Sequence, residues 1–217
     1  MSQFPEHRLP FIFMNAVGRH RDVETLLHES GHAFHTFACR DEPIGQYRHA
    51  PMEFSEVASM SMELLSQPEL GVFYDEKEQR RAYRDQLEGI IDILPWVATI
   101  DAFQHWLYTH PEHSHKERTQ TWLDLRERFG GIEDYAGFER FLESQWQRQL
   151  HLYEVPFYYI EYAIAQIGSL QIWLHSRENL AQTVQEYKNG LSLGGSRPLP
   201  ELFAASGIEF DFSAKTI

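Results

Sequence analysis

Within Val23 to Arg40, VETLLHESGHAFHTFACR, the residues His28, Glu29, Ser30, Gly31 and His32 spell H-E-x-x-H. On a helix this spacing puts two imidazoles one turn apart on one face, about 6 Å along the axis, where both can reach a single zinc ion. Glu29 then projects beside the metal, placed to take a proton from a zinc-bound water. The chemistry on offer is metal-assisted hydrolysis.

Two histidines do not complete such a site, because catalytic zinc takes three protein ligands and keeps one position open. The extended pattern H-E-x-x-H-x-x-G-x-x-H is not met: His35 stands where its Gly belongs and Ala38 where its third His belongs. His35 lies two turns from His28, about 10 Å along the axis, too far to share an ion held at about 2 Å. Downstream, PMEFSEVASMSMELLSQP offers Glu53, Glu56 and Glu63. Phe54, Val57, Met60 or Ser61, and Leu64 form an apolar helical stripe there, leaving Glu56, Ser59 and Glu63 together on another face. That face holds a ligand with further polar groups behind it.

The elements that position these residues read as helices. Leu26, Leu27, Ala33, Phe34 and Phe37 recur at amphipathic spacing, with Thr25, His28, His32 and His35 on a polar stripe. Asp22 is a candidate N-cap, and Gly31, which costs a helix about 1 kcal/mol relative to Ala, implies a close neighbour. Leu9 to Val17 reads as a strand. DEPIGQYRHAPM, residues 41–52, reads as a loop between the two ligand helices. A long helix starts near Asp75, with Tyr83, Leu87, Ile90, Ile91 and Leu94 on its buried side, and Pro95 kinks or interrupts it. Helices are expected over Ser114–Phe129, Tyr135–Gln149, Pro156 to about Leu174, Ser176–Asn189 and Pro200–Ser206. Trp122, Leu125, Phe138, Phe141, Leu142 and Trp146 are core candidates, and HPEHSH, residues 110–115, reads as a solvated loop with a Ser114 cap. A helix from Pro156 puts Tyr158 and Tyr162 four apart, and Tyr159 and Tyr162 three apart. A phenol, protonated at neutral pH, can donate to a developing oxyanion.

Composition narrows the class. A chain of 217 residues, 42% hydrophobic, can bury a sizeable core and is expected to be one domain. A net charge of −13 argues against nucleic-acid partners and anionic membrane surfaces. The single cysteine, Cys39, fits packing in a reducing compartment, and no run approaches about eighteen apolar residues. The expected location is the cytoplasm.

DVETLLHESGHAFH followed by MEFSEVASMSMEL resembles the catalytic core of the thimet oligopeptidase and oligoendopeptidase F family of zinc peptidases, bacterial oligoendopeptidase F branch. HLYEVPFYYIEYAIAQIGSLQIW resembles that family's later His and Tyr cluster. The resemblance runs from about Pro10 to Phe212. It implies a mainly α, zincin-like helical catalytic domain over residues 1–217, with a short strand region near the N-terminus lying as an edge strand near the metal. It implies one Zn2+ per chain, held by His28, His32 and Glu56, with Glu29 as general base. It implies oxyanion donors at His151, Tyr159 and Tyr162, although YEVPF stands here where many members have a Gly-rich turn and another Tyr. The implied activity is endopeptidase cleavage of short peptides. The alternatives are a zinc carboxypeptidase with the same helix, or a zinc-binding helical module without turnover. The family's usual chain also carries a long N-terminal helical portion that walls the other side of a channel. Without that portion the chain is expected to bind zinc, cleave weakly and self-associate through an uncovered apolar surface.

Overall fold

The computed structural model describes residues 2–4, 7–130 and 133–216. Helix α1, His20–Cys39, starts where the Asp22 carboxylate reaches back to the backbone N–H groups of Arg19 at 2.8 Å and Val17 at 2.9 Å. Those donors have no partner inside a helix, so a carboxylate in the first turn satisfies them and complements the helix dipole. Arg19 is the N-cap and Asp22 the third helical residue, not the cap itself. Helix α2, Met52–Leu65, follows a loop that holds a 3-10 turn at Gly45–Arg48. Its stripe of Phe54, Val57, Ala58, Ser61 and Leu64 is buried.

The two helices meet backbone to backbone at Gly31. A Cβ there would stand 2.5 Å from Ser59 Cα and 2.6 Å from the Ala58 carbonyl oxygen, so only glycine permits the approach. Behind α2 lies a core of Phe54, Val57, Ala58, Ala165, Ile172, Leu191, Leu202 and Phe203. Each of the larger side chains among these contributes about 1.5–3 kcal/mol on full burial. Tyr187 joins them and donates from its hydroxyl to the Ala58 carbonyl at 2.6 Å.

Strands β1, Ser2–Phe4, and β2, Leu9–Phe11, pair antiparallel with Gln3 opposite Pro10, and β2 lies against α1. The apolar run ending at Val17 therefore forms strand only over its first three residues. Phe13, 84% exposed, and Val17 gain no burial from continuing it.

The chain divides into two compact units, Met1–Tyr83 with Ile164–Ile217, and Arg84–Ala163. Helix α3, Glu76–Thr109, runs through Pro95 without ending. Helix α4, His115–Phe129, begins at a capping box in which Ser114 and Glu117 satisfy each other's backbone N–H groups. The second unit's core is Ile100, Phe103, Trp122 and Trp146. The helix expected over Tyr135–Gln149 is shorter: α5 spans Glu139–Ser144, a 3-10 turn covers Gln145–Arg148, and α6 is His151–Glu154. Its inward side is taken by Leu142 and Trp146, leaving Phe138 and Phe141 exposed; Ile91 of α3 is exposed too, while Ala82 and Val97 are buried.

Pro156 does not open a helix. Phe157 takes a left-handed φ of 61°, its N–H donating to Gln104 Oε1 at 3.0 Å, and α7 runs Ile160–Ser192 with a break at Asn179. Helix α8 is Leu199–Ala205. Before it, Gly194 adopts φ 51° directly against the Tyr47 carbonyl, which accepts from Gly195 N at 2.7 Å. This turn pins the loop leading into α2. No helix among the described residues is long and apolar enough to cross a membrane.

Candidate metal centre

With α1 and α2 in backbone contact, His28 and His32 on one and Glu56 on the other converge. His28 Nε2 lies 3.4 Å from Glu56 Oε2, and His32 Nε2 lies 3.9 Å from Glu56 Oε1. One ligand atom from each residue falls within 4.8 Å of the other two, the only such group of three among the described residues. A tetrahedral zinc ion about 2.0–2.2 Å from its ligands holds them about 3.3–3.6 Å apart. Two imidazoles and one carboxylate are a donor set for that ion, and small side-chain rotations bring groups within 4.8 Å to those separations, with one coordination position left over.

The groups behind the three fix their orientation. His28 Nδ1 is 2.7 Å from Glu63 Oε1, so the proton sits on Nδ1 and the Nε2 lone pair faces Glu56. Ser59 Oγ donates to Glu56 Oε2 at 3.0 Å, and His32 is tied to the Ser55 backbone. Burial pulls the His28 pKa down, but the Glu63 hydrogen bond and charge outweigh it and leave the imidazole raised. Burial and the neighbouring His28 charge push His32 down to about 4, keeping it neutral at pH 7. Burial raises Glu56, which is 7% exposed, against the opposing pull of His28.

Glu29, half-buried on α1, acts electrostatically on both His28 and His32 and so stands close to the pair. Glu53, in the first turn of α2, lies outside the group. His35 is buried edge-on against Phe54 at 5.9 Å and is not one of the three converging groups.

In the second unit His151 lies within an aromatic cluster, its ring centroid 5.6 Å from Tyr158, 4.8 Å from Tyr159 and 5.9 Å from Tyr162. Tyr158 and Tyr159 precede α7, so their closeness to Tyr162 at 5.7 and 5.3 Å arises from the turn after Pro156 and not from helical spacing alone. Sequence reasoning missed Gln149 and Trp96. Trp96 Nε1, which can only donate, points to Gln149 Oε1 at 3.3 Å, and that fixes the amide with Nε2 toward His151 Nδ1 at 2.6 Å. His151 Nδ1 must then accept, and the ring's proton sits on Nε2. Burial lowers the His151 pKa and raises that of Tyr159, so both stay uncharged. No spacing rule links Trp96 to Gln149, which lie far apart in the chain. In the HPEHSH loop His110 and His113 lie against Trp106 at 4.9 and 5.0 Å, and Ser114 caps α4.

The fold and the sequence have relatives. The oligoendopeptidase F homolog of Borreliella burgdorferi is 28% identical over 89% of this chain and 33% of its own length, and oligopeptidase PepF of Bacillus subtilis 25% identical over 92% and 30%. The chain thus spans about a third of the length of these curated relatives. Pz peptidase A, solved with an inhibitor, superposes with a TM-score of 0.90 and 32% identity over 99% of this chain and 39% of that one. The model of peptidase family M3 matches residues 2–217. Because that match takes in both the convergence of His28, His32 and Glu56 and the His151 cluster, the chain belongs to peptidase family M3.

Proposed function

We propose that this chain is the catalytic part of a zinc-dependent endopeptidase that hydrolyses internal bonds of short peptides, with one zinc ion per chain. The observation that carries the reading is the convergence of His28, His32 and Glu56 within 4.8 Å, each backed by its own hydrogen-bond partner. Zinc held there would supply Lewis-acid polarisation to a peptide carbonyl and to water.

The chain's own groups do the rest. Glu29 takes the proton from the attacking water on its carboxylate and delivers it to the departing amine nitrogen. Glu63 holds the His28 ring with Nε2 unprotonated, and Ser59 holds the Glu56 carboxylate in place. His151 Nε2–H and the phenols of Tyr159 and Tyr162 are assigned as donors to the oxygen on which negative charge develops. Neutral hydrogen-bond donors of this kind stabilise such a charge without a proton transfer of their own. A reducing, cytoplasmic setting is supported by the unpaired and buried Cys39, and peptide partners by the family.

The test combines metal content with cleavage of quenched peptides blocked at both ends. One zinc per chain with internal cleavage supports the reading. Cleavage only of peptides with a free C-terminus assigns a carboxypeptidase, and bound zinc without any cleavage assigns a binding module. Glu29→Gln should keep zinc and lose nearly all turnover, since an amide cannot accept the proton. A variant retaining about a tenth of the wild-type rate removes Glu29 as the base.

A further inference from the structure

Arg8, Arg40 and Arg48 line one cavity of about 320 Å3 at the C-terminal end of α1, together with Thr36, Gln46 and His49. In a chain of net charge −13, three guanidinium groups around one hollow are a local reversal of sign. Their donors go mostly to backbone carbonyls: Arg8 Nη1 to Arg40 at 3.1 Å, Arg48 Nε to Glu42 at 2.7 Å and Arg48 Nη2 to Pro43 at 3.4 Å. Carbonyls orient a guanidinium without cancelling its charge. Among the described residues the one carboxylate in ion-pair reach is Asp41, 3.9 Å from Arg40 Nε and 89% exposed, a pair weakened by solvent. Glu42 turns its carboxylate to the Ile44 N–H instead.

The cavity adjoins the candidate centre. Thr36, Arg48 and His49 also line a second cavity of about 240 Å3 whose other walls include His32, His35 and Ser55. His35 Nε2 is buried there without a hydrogen-bond partner among the described residues. From His32 to Arg40 is roughly 12 Å along the α1 axis, the reach of about four residues of extended peptide.

We infer that the Arg8, Arg40 and Arg48 cavity is a carboxylate subsite, taking the C-terminal carboxylate or an acidic side chain of a peptide about three to four residues from the bond cleaved at the centre. The inference rests on the proposed peptidase reading. Guanidinium forks recognise carboxylates through paired charge-assisted hydrogen bonds, which a neutral amide end cannot reproduce.

The test measures binding of dye-labelled peptides to the zinc-loaded Glu29→Gln protein by fluorescence anisotropy, and cleavage by the wild-type protein. The peptides are one with a free C-terminus, its C-terminal amide, and the amide with Glu placed three or four residues from the cleaved bond. The free acid or the Glu-bearing amide should bind about tenfold more tightly than the plain amide. Arg40→Gln removes a charge whose pair with Asp41 is weakened by solvent and keeps the backbone carbonyl that accepts from Arg8, and should cut that preference at least about threefold while leaving plain-amide binding unchanged. Arg8→Gln should do the same. Preference for the free acid assigns the subsite to the chain end, and preference for the Glu peptide to a side chain. Equal binding of all three peptides, with cleavage intact, overturns the subsite and leaves the peptidase standing. Failure of the wild-type protein to bind or cleave any of them overturns the peptidase reading and the subsite with it.

Discussion

Glu63 decides which nitrogen of His28 is free, because its carboxylate holds the Nδ1 proton at 2.7 Å. Glu63→Gln should therefore weaken zinc binding about 10- to 100-fold, as losses behind a metal ligand do, with Glu56→Gln weakening it further and Glu53→Gln leaving it unchanged. Titration against a competing chelator gives the three affinities, and equal losses in all three would remove Glu56 as a ligand. The same reasoning applies at Gln149, whose amide donates to His151 Nδ1. In Gln149→Glu a carboxylate faces that nitrogen and favours the protonated ring, reversing the downward shift that burial imposes. NMR titration should find the His151 pKa raised in the variant. An unchanged value would mean that the Trp96 to Gln149 to His151 chain does not set the ring's protonation.

At the scale of elements, the site exists because α1 and α2 touch at one glycine. Gly31→Ala places a methyl group 2.5 Å from Ser59 Cα, and since both partners are backbone the helices must separate. A cost of about 1–3 kcal/mol is expected, together with a loss of zinc affinity, because Glu56 moves with α2. Denaturant unfolding and chelator titration check the two effects separately. Tyr187 ties α7 to α2 through the Ala58 carbonyl, and complete burial raises its pKa above the ordinary 10.0 of a phenol. Above that pH the unfolded chain releases a proton that the native state keeps, so stability falls as pH rises beyond about 10. Tyr187→Phe should make that fall shallower while costing about 1 kcal/mol near neutrality, measured as unfolding midpoints across the alkaline range. A wild-type protein with a flat alkaline limb would contradict the burial argument.

At the scale of the whole molecule, one exposed surface is apolar. Phe34, Phe37, Leu65, Val72 and Phe73 line a cavity of about 690 Å3, with the exposed Glu69 and Lys188 among its lining residues. A twofold contact between two copies can bury such a face while setting Glu69 of each against Lys188 of the other. Concentration-dependent self-association is the expected outcome in sedimentation velocity, reduced by Phe34→Ser and by charge reversal at Lys188. A monomer at all concentrations would exclude this contact.

The H-E-x-x-H helix, the buried stripe of α2 and the cap at Ser114 were legible in the sequence because each is a local matter: helical period and first-turn hydrogen bonding act within a few residues. The need for a close neighbour at Gly31 was legible too, since a glycine inside a helix has a cost that packing offsets. Spacing put Glu56 and Glu63 on one face of α2, apart from Glu53, and the family resemblance pointed to Glu56. The depth to which Gly31 admits α2 brings Glu56 to the imidazoles and Glu63 behind His28. The strand that stops at Phe11 and the exposure of Phe138 and Phe141 were not legible, because an apolar residue is buried only where another element arrives to cover it. The three arginines were invisible as a group for the same reason. Arg8 reaches the others through the packing of β2 against α1, a contact between segments that no periodicity connects.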